Sequence, residues 1–365
     1  MIFFFKFPLQ DSLGGAEFHT LKLAKHFQSL GHAVKLITSD AKLFRLFEKH
    51  RLPRQRLFVG WEPTSKLSLF LWPLTYLIAG YKFRKLVKQI SPGATFFMQS
   101  LTEKLILSPL ILQSEILNQK SKIVWLEHKI PGRWLKLNPL KSHYLKLARR
   151  IELVTVSNFA MQEFVKLGIL KKTIKVIYPG VDAISHKLLP KTFFTIGLLS
   201  RLAPEKGVLD FFQTILPTLK DHPDWKIIIG GEGEERQKIE FLISNYHLEN
   251  QIKLLGFVND LDEFFLQISV FVYPTKVPEA FGVAVLEAAA RGVPVVGSEI
   301  GALPEMIEDK KSGFLIEPNE PAMWSAVLIQ LRDLLFYEEF RKKTSVKAQR
   351  FSEESMLAGF ENLIF

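Results

Sequence analysis

Short apolar runs recur along the chain, each followed by a polar or glycine-bearing stretch and then by a segment with helical spacing. The first run, Met1-Ile2-Phe3-Phe4-Phe5-Lys6-Phe7, reads as a strand. A turn carrying Gly14-Gly15 leads into a helix predicted over residues 16–30, closed by Gly31, with the next strand at 32–38. Further strands are predicted at 94–98, 122–126, 153–157 and 174–178. After a linker read at 183–191, the alternation restarts with strands at 193–197, 226–230, 253–258, 271–273, 293–296 and 313–316. Residues 351–365 form an amphipathic last helix. Strands alternating with helices, in two runs joined by one linker, predict two doubly wound α/β domains with ligand bound between them, at the carboxyl ends of the strands.

One stretch concentrates unusual polar residues. Residues 274–278 read as a loop, and a helix is predicted from near Phe281 to Gly292, with Pro294 just beyond it. Glu279 then lies at the mouth of the helix and Glu287 about two turns further in. A helix N-terminus attracts anions through its free amides, and carboxylates beside it accept hydrogen bonds from hydroxyl groups. The alternative stays open that Glu279 only complements the helix dipole and Glu287 is a solvated face residue. Gly14-Gly15 allows a backbone to approach a phosphate closely, or simply makes a tight turn. His128, just past the strand at 122–126, stands where parallel sheets bind ligands, although a lone histidine is more often structural. The turn Gly230-Gly231-Glu232-Gly233 lacks the third glycine of a dinucleotide fingerprint, which argues against a nicotinamide cofactor.

Composition narrows the picture. At 365 residues, two domains are expected, and 47% hydrophobic with 23% charged residues describes an ordinary globular chain. With no cysteine, disulfides and thiolate chemistry are excluded, in keeping with a reducing compartment. The N-terminal apolar run is too short for a secretion signal. Residues 67–81 are the most membrane-like, yet Ser68, Pro73, Thr75 and Gly80 interrupt them, and a buried or interfacial helix is predicted there. Charge is uneven: residues 1–180 carry 29 Lys+Arg against 10 Asp+Glu, while residues 181–365 carry 19 against 27. The first half therefore faces something anionic. No nucleic-acid-binding motif accompanies the basic residues, and an anionic membrane surface fits the basic, aromatic-rich content better. Arg51, Arg54 and Arg56 read as a basic surface cluster.

These residues together resemble the retaining family-4 glycosyltransferases of the GT-B fold, over nearly the whole chain and most strongly from residue 193 to 318. The resemblance rests on Gly14-Gly15-Ala16-Glu17, on Val156-Ser157, on Val176-Ile177-Tyr178-Pro179-Gly180-Val181-Asp182, on Gly197, Arg201 and Glu205-Lys206-Gly207, and on Glu279 with Phe281-Gly282 and Glu287-Ala288. It implies two Rossmann-like domains facing a central cleft: residues 1–186 on the acceptor side, 187–345 binding the nucleotide sugar, and a last helix, 346–365, returning to the first domain. Arg201 and Lys206 would hold the donor diphosphate, Glu287 the ribose, and Glu279 the sugar. The amides of Phe281, Gly282 and Val283 would serve the sugar or phosphate, and Val258 and Asp260 the base. His128 would contact the sugar or β-phosphate, with Gly14 and Gly15 closing on the diphosphate.

The implied activity is a metal-independent transfer with retention, by front-face attack. There would be no metal site and no cofactor beyond the nucleoside diphosphate sugar substrate, UDP or GDP. The implied acceptor is a glycan or lipid-linked molecule in cell-surface polysaccharide or glycolipid synthesis, on the cytoplasmic side, with the enzyme peripheral on the inner face of the membrane. The other readings are a different sugar-nucleotide enzyme of this fold, an epimerase or phosphorylase, and a non-catalytic sugar-nucleotide-binding protein.

Overall fold

The computed structural model describes residues 1–9, 14–114, 121–182, 194–332 and 334–365. The linker expected at 183–191 lies outside the described residues. Two compact units emerge: Met1–Tyr178 with Leu357–Phe365, and Pro179–Met356.

In the first unit the strands are β1 (Ile2–Lys6), β2 (Val34–Thr38), β3 (Arg54–Arg56), β4 (Thr95–Met98), β5 (Lys122–Glu127), β6 (Glu152–Thr155) and β7 (Ile174–Val176). They form one parallel sheet in the order β3-β2-β1-β4-β5-β6-β7. β1 is buried at every position, which explains its continuous apolar run. Alternate side chains leave on opposite faces: Phe3 stacks on Phe96 at 5.7 Å between ring centroids, and Phe4 on Phe97 at 4.9 Å. The basic cluster lies at the sheet's edge: Arg51 and Arg56 are exposed, residues 54–56 form the edge strand β3, and Arg54 pairs with Glu48.

The second unit's strands are β8 (Thr195–Leu199), β9 (Lys226–Gly230), β10 (Ile252–Gly256), β11 (Val270–Tyr273), β12 (Val295–Ser298) and β13 (Gly313–Ile316). They too pair in parallel, in the order β10-β9-β8-β11-β12-β13. In both sheets the winding reverses once, between β1 and β4 and between β8 and β11. Loops leaving the carboxyl ends of strands on either side of such a reversal diverge and leave a crevice for ligand.

Two local differences have physical causes. The helix predicted from Phe281 is Val283–Ala290, because Gly282 adopts φ +108°, a left-handed conformation that cannot continue a helix. Gly292, at φ +68°, ends it as expected. The segment at 67–81 is two helices, Lys66–Phe70 and Trp72–Val87, the second admitting Pro73 in its first turn, where the missing amide hydrogen is harmless.

The last helix, Glu353–Ile364, contributes residues from Leu357 onward to the first unit. Phe360 is fully buried there, 5.9 Å from the Phe97 ring and 5.4 Å from the His19 ring. Lys122 donates to the carbonyl of Leu363 at 2.7 Å, and His26 pairs with Glu361 at 2.6 Å. In the second unit, a Cβ on Gly180 would sit 2.5 Å from Glu353 Cα, so only glycine lets residues 351–353 pass beside Val181. Replacing Phe360 by alanine should destabilise the first unit by about 3–5 kcal/mol, through lost burial and the cavity left behind. Urea unfolding measures this, and an unchanged midpoint would contradict the packing described.

Candidate functional site

In the second unit, the loops after β8 and β11 converge. Gly207 has φ +66°, and a Cβ there would lie 2.1 Å from the carbonyl oxygen of Pro274, so glycine alone permits the contact. That approach brings Lys206 against Glu279, and the two form an ion pair, both mostly shielded from solvent. Glu279 Oε1 also accepts from the Tyr273 hydroxyl and from Thr275 Oγ1, each at 3.3 Å. Burial first, and then the Glu279 charge, push the Tyr273 phenol well above its ordinary value, which keeps it a donor. All three contacts fall on Oε1; Oε2 has no hydrogen-bond partner among the described residues. The backbone of Glu279 is fixed as well: its carbonyl accepts from Ala302 N–H at 3.1 Å, and Gly301 passes so close that a Cβ would meet Glu279 N at 2.5 Å.

Glu287 projects one turn into the helix that follows Gly282. Its Oε2 accepts from Arg291 Nη1 at 2.5 Å, and Arg291 in turn donates to Asp262 Oδ1 from Nε at 2.8 Å and from Nη2 at 2.6 Å. Arg291 is buried and lies over the Phe265 ring at 5.2 Å. Glu287 is thus oriented through one oxygen, while Oε1 has no partner among the described residues. Arg201 is exposed and pairs with Glu205 at 2.8 Å, which leaves most of its guanidinium to solvent. Val258 packs over Gly230, where a Cβ would touch its Cγ2 at 2.6 Å. Asp260 caps the helix Leu261–Gln267, its Oδ1 accepting from Glu263 N–H at 2.9 Å. The first-turn amides at Gly282 and Val283, with that of Phe281 beside them, begin a helix whose leading N–H groups have no intrahelical acceptor.

The first unit holds a separate polar cluster at the carboxyl ends of β1, β4 and β5. His128 follows β5, and its Nε2 shares a hydrogen bond of 2.8 Å with His19 Nδ1. His19 belongs to the helix Gly15–Ser29 and is buried, and its Nε2 has no partner among the described residues. Gly14 is extended at φ −170°, and a Cβ would meet nothing closer than Glu17 Oε2 at 3.7 Å. Backbone strain therefore does not account for glycine at that position. Lys6 and Glu17 form a buried ion pair, with burial lowering the Lys6 ammonium to about 8. Beneath His128, the carboxylate of Glu127 accepts from Lys104 at 2.7 Å and from the Tyr144 hydroxyl at 2.6 Å.

Sequence reasoning did not find His19, Tyr273, Thr275, Arg291 or Asp262. Two of them carried a signal: Arg291 is four residues after Glu287, and His19 four after Gly15, the spacing that shares a helix face. Tyr273, Thr275 and Asp262 join the site through the tertiary fold alone.

Burial lowers His19 to about 4, with Lys22 adding to the effect, and burial followed by His19 holds His128 well below its ordinary value. As pH falls below 6.5, the unfolded chain takes up the His19 proton before the folded chain does. The contribution to stability is therefore complete above 6.5 and declines toward 4 by about 3 kcal/mol. His19→Gln should flatten this slope in urea unfolding at pH 7 and pH 4.5; equal slopes in both proteins would refute it.

Residues 182–350 match the family described as glycosyl transferases group 1. N-acetyl-alpha-D-glucosaminyl L-malate synthase of Bacillus anthracis is 22% identical over 377 residues, spanning 97% of this chain and 94% of that protein. Exopolysaccharide phosphotransferase of Streptomyces coelicolor is 30% identical over 171 residues, and this stretch covers 46% of the chain but only 18% of that longer protein. Among solved structures, Anabaena HepE in complex with UDP superposes with a TM-score of 0.79 at 21% identity, covering 100% of this chain and 99% of that one. That likeness is one of fold. It bears out the fold class read from the sequence: paired Rossmann-like parallel sheets of the GT-B type.

Proposed function

We propose, for a chain whose residues 182–350 match the glycosyl transferases group 1, that it transfers a sugar from a nucleoside diphosphate sugar, with retention and without a metal ion. The observation carrying this reading is the state of the two glutamates. Each has one carboxylate oxygen anchored by a cation and the other without a partner among the described residues, an arrangement suited to accepting hydrogen bonds from vicinal hydroxyls at fixed positions. Glu279 takes the sugar hydroxyls and Glu287 the ribose.

Arg201 and Lys206 face the diphosphate and neutralise the charge that grows on it as the glycosidic bond to the β-phosphate breaks. An acceptor hydroxyl attacks the anomeric carbon from the face the phosphate leaves. Its proton passes to the departing phosphate oxygen, and the nucleoside diphosphate is released. The amides of Phe281, Gly282 and Val283 hold sugar or phosphate oxygens, and Val258, with the Asp260 turn, borders the base. On the first unit, His128, kept neutral and oriented by His19, donates to the sugar or β-phosphate, and Gly14-Gly15 admits the diphosphate to close backbone contact.

The donor base is uracil or guanine; HepE of Anabaena was solved with UDP, which favours the first. The acceptor is a glycan or lipid-linked molecule of a cell-surface polysaccharide or glycolipid, in keeping with the exopolysaccharide named in one relative. The enzyme works at the cytoplasmic face of the membrane. Incubation with UDP- and GDP-sugars, with and without EDTA, should give slow donor hydrolysis insensitive to the chelator, and NMR of the transfer product should show the donor's anomeric configuration. An inverted product or a requirement for metal would overturn the mechanism, and epimerised donor without acceptor would favour an epimerase. Glu279→Ala should lower turnover by about 10²–10³-fold while the thermal midpoint is kept; unchanged turnover would remove Glu279 from the site.

A further inference from the structure

The helices Lys66–Phe70 and Trp72–Val87 bear an apolar surface that stands exposed among the described residues. Thr75, Ala79, Phe83 and Leu86 form the buried face of the longer helix. Opposite them, Leu74, Leu77 and Tyr81 are 50%, 69% and 70% exposed, and Leu67 and Phe70 on the shorter helix are 69% and 80% exposed. Side chains of this size lie out of water in most soluble domains, and several clustered on one element mark an interaction surface. The same helical stripe continues beyond Tyr81 into Lys85 and Lys88, both exposed. From residue 63 to 102 the chain carries five Lys or Arg and no Asp or Glu.

We infer that this helix pair is the chain's docking surface for an anionic lipid bilayer, with Leu67, Phe70, Leu74 and Leu77 entering the boundary between headgroups and acyl chains. Charge complementarity selects this occupant. An apolar surface for a second copy would bring two acid-free basic stripes together, whereas lipid phosphates neutralise them. The helices suit lying on the surface: among the described residues, no helix is long and apolar enough to cross a membrane. Tyr81 stands between the leucines and the lysines, at the level where amphipathic rings settle in an interface.

The surface is tested on the full-length protein by co-sedimentation with vesicles of phosphatidylcholine alone and with phosphatidylglycerol added. The protein should pellet with the anionic vesicles at low salt and be partly released at high salt. Phe70→Ser/Leu77→Ser should weaken the partitioning by about tenfold or more, and Lys85→Glu/Lys88→Glu should remove the preference for phosphatidylglycerol. Both pairs are exposed, so the thermal midpoint and donor hydrolysis in solution should stay as in the parent, which separates this result from any failure of the proposed activity. Absence of binding to either vesicle, or equal binding by Phe70→Ser/Leu77→Ser, would overturn the assignment. So would a dimer in solution that this double variant dissociates, since the surface would then belong to a second copy.

Discussion

The second unit depends on backbone passing against backbone at points where no Cβ fits. Gly207 lies on the carbonyl of Pro274, Gly301 on the amide and carbonyl of Glu279, and Gly231 and Gly233 on Ser200 and Leu202. The loops after β8, β9, β11 and β12 are locked to one another at these contacts. Side chains on long loops would otherwise lose the conformational entropy of being placed, and here the placement is made by the fold before any ligand arrives. Lys206 and Glu279, 73 residues apart, meet for this reason.

The first unit organises its polar residues by a different means. Its cluster is held by burial: His19 against His128, Lys6 against Glu17, and Glu127 between Lys104 and Tyr144. Desolvation keeps both imidazoles neutral, so His128 presents one acceptor and one donor rather than a positive charge. The last helix completes this arrangement, because Phe360 packs against the His19 ring. The cations Arg201 and Lys206 lie on the second unit, and the neutral imidazole pair on the first.

Much of the fold was legible because a buried parallel strand is apolar along most of its length, as the runs at 1–7, 226–230 and 293–296 are. Glu279 was legible as a candidate because it is an acid in a loop between an apolar strand and a helix start, and Glu287 because it lies at a fixed spacing from it, one turn into that helix. The supports of those glutamates were hidden. Tyr273 ends a strand and read as core, and Asp262 meets Arg291 only because two helices pack. Gly282 was counted as helix, although its positive φ is what starts the helix after it. Residues 67–81 read as a buried or interfacial helix without a choice between the two, because exposed leucines have the same hydropathy as buried ones.

The central claim is that one crevice of the second unit grips a nucleoside diphosphate at two separate ends. Calorimetric titration of UDP, GDP and the free nucleosides into the parent protein, Lys206→Ala and Glu287→Gln tests it most directly. The account predicts that Lys206→Ala weakens the diphosphate and leaves the nucleoside unaffected, whereas Glu287→Gln weakens both. Equal loss for nucleoside and diphosphate in Lys206→Ala, or no loss in either variant, would contradict it.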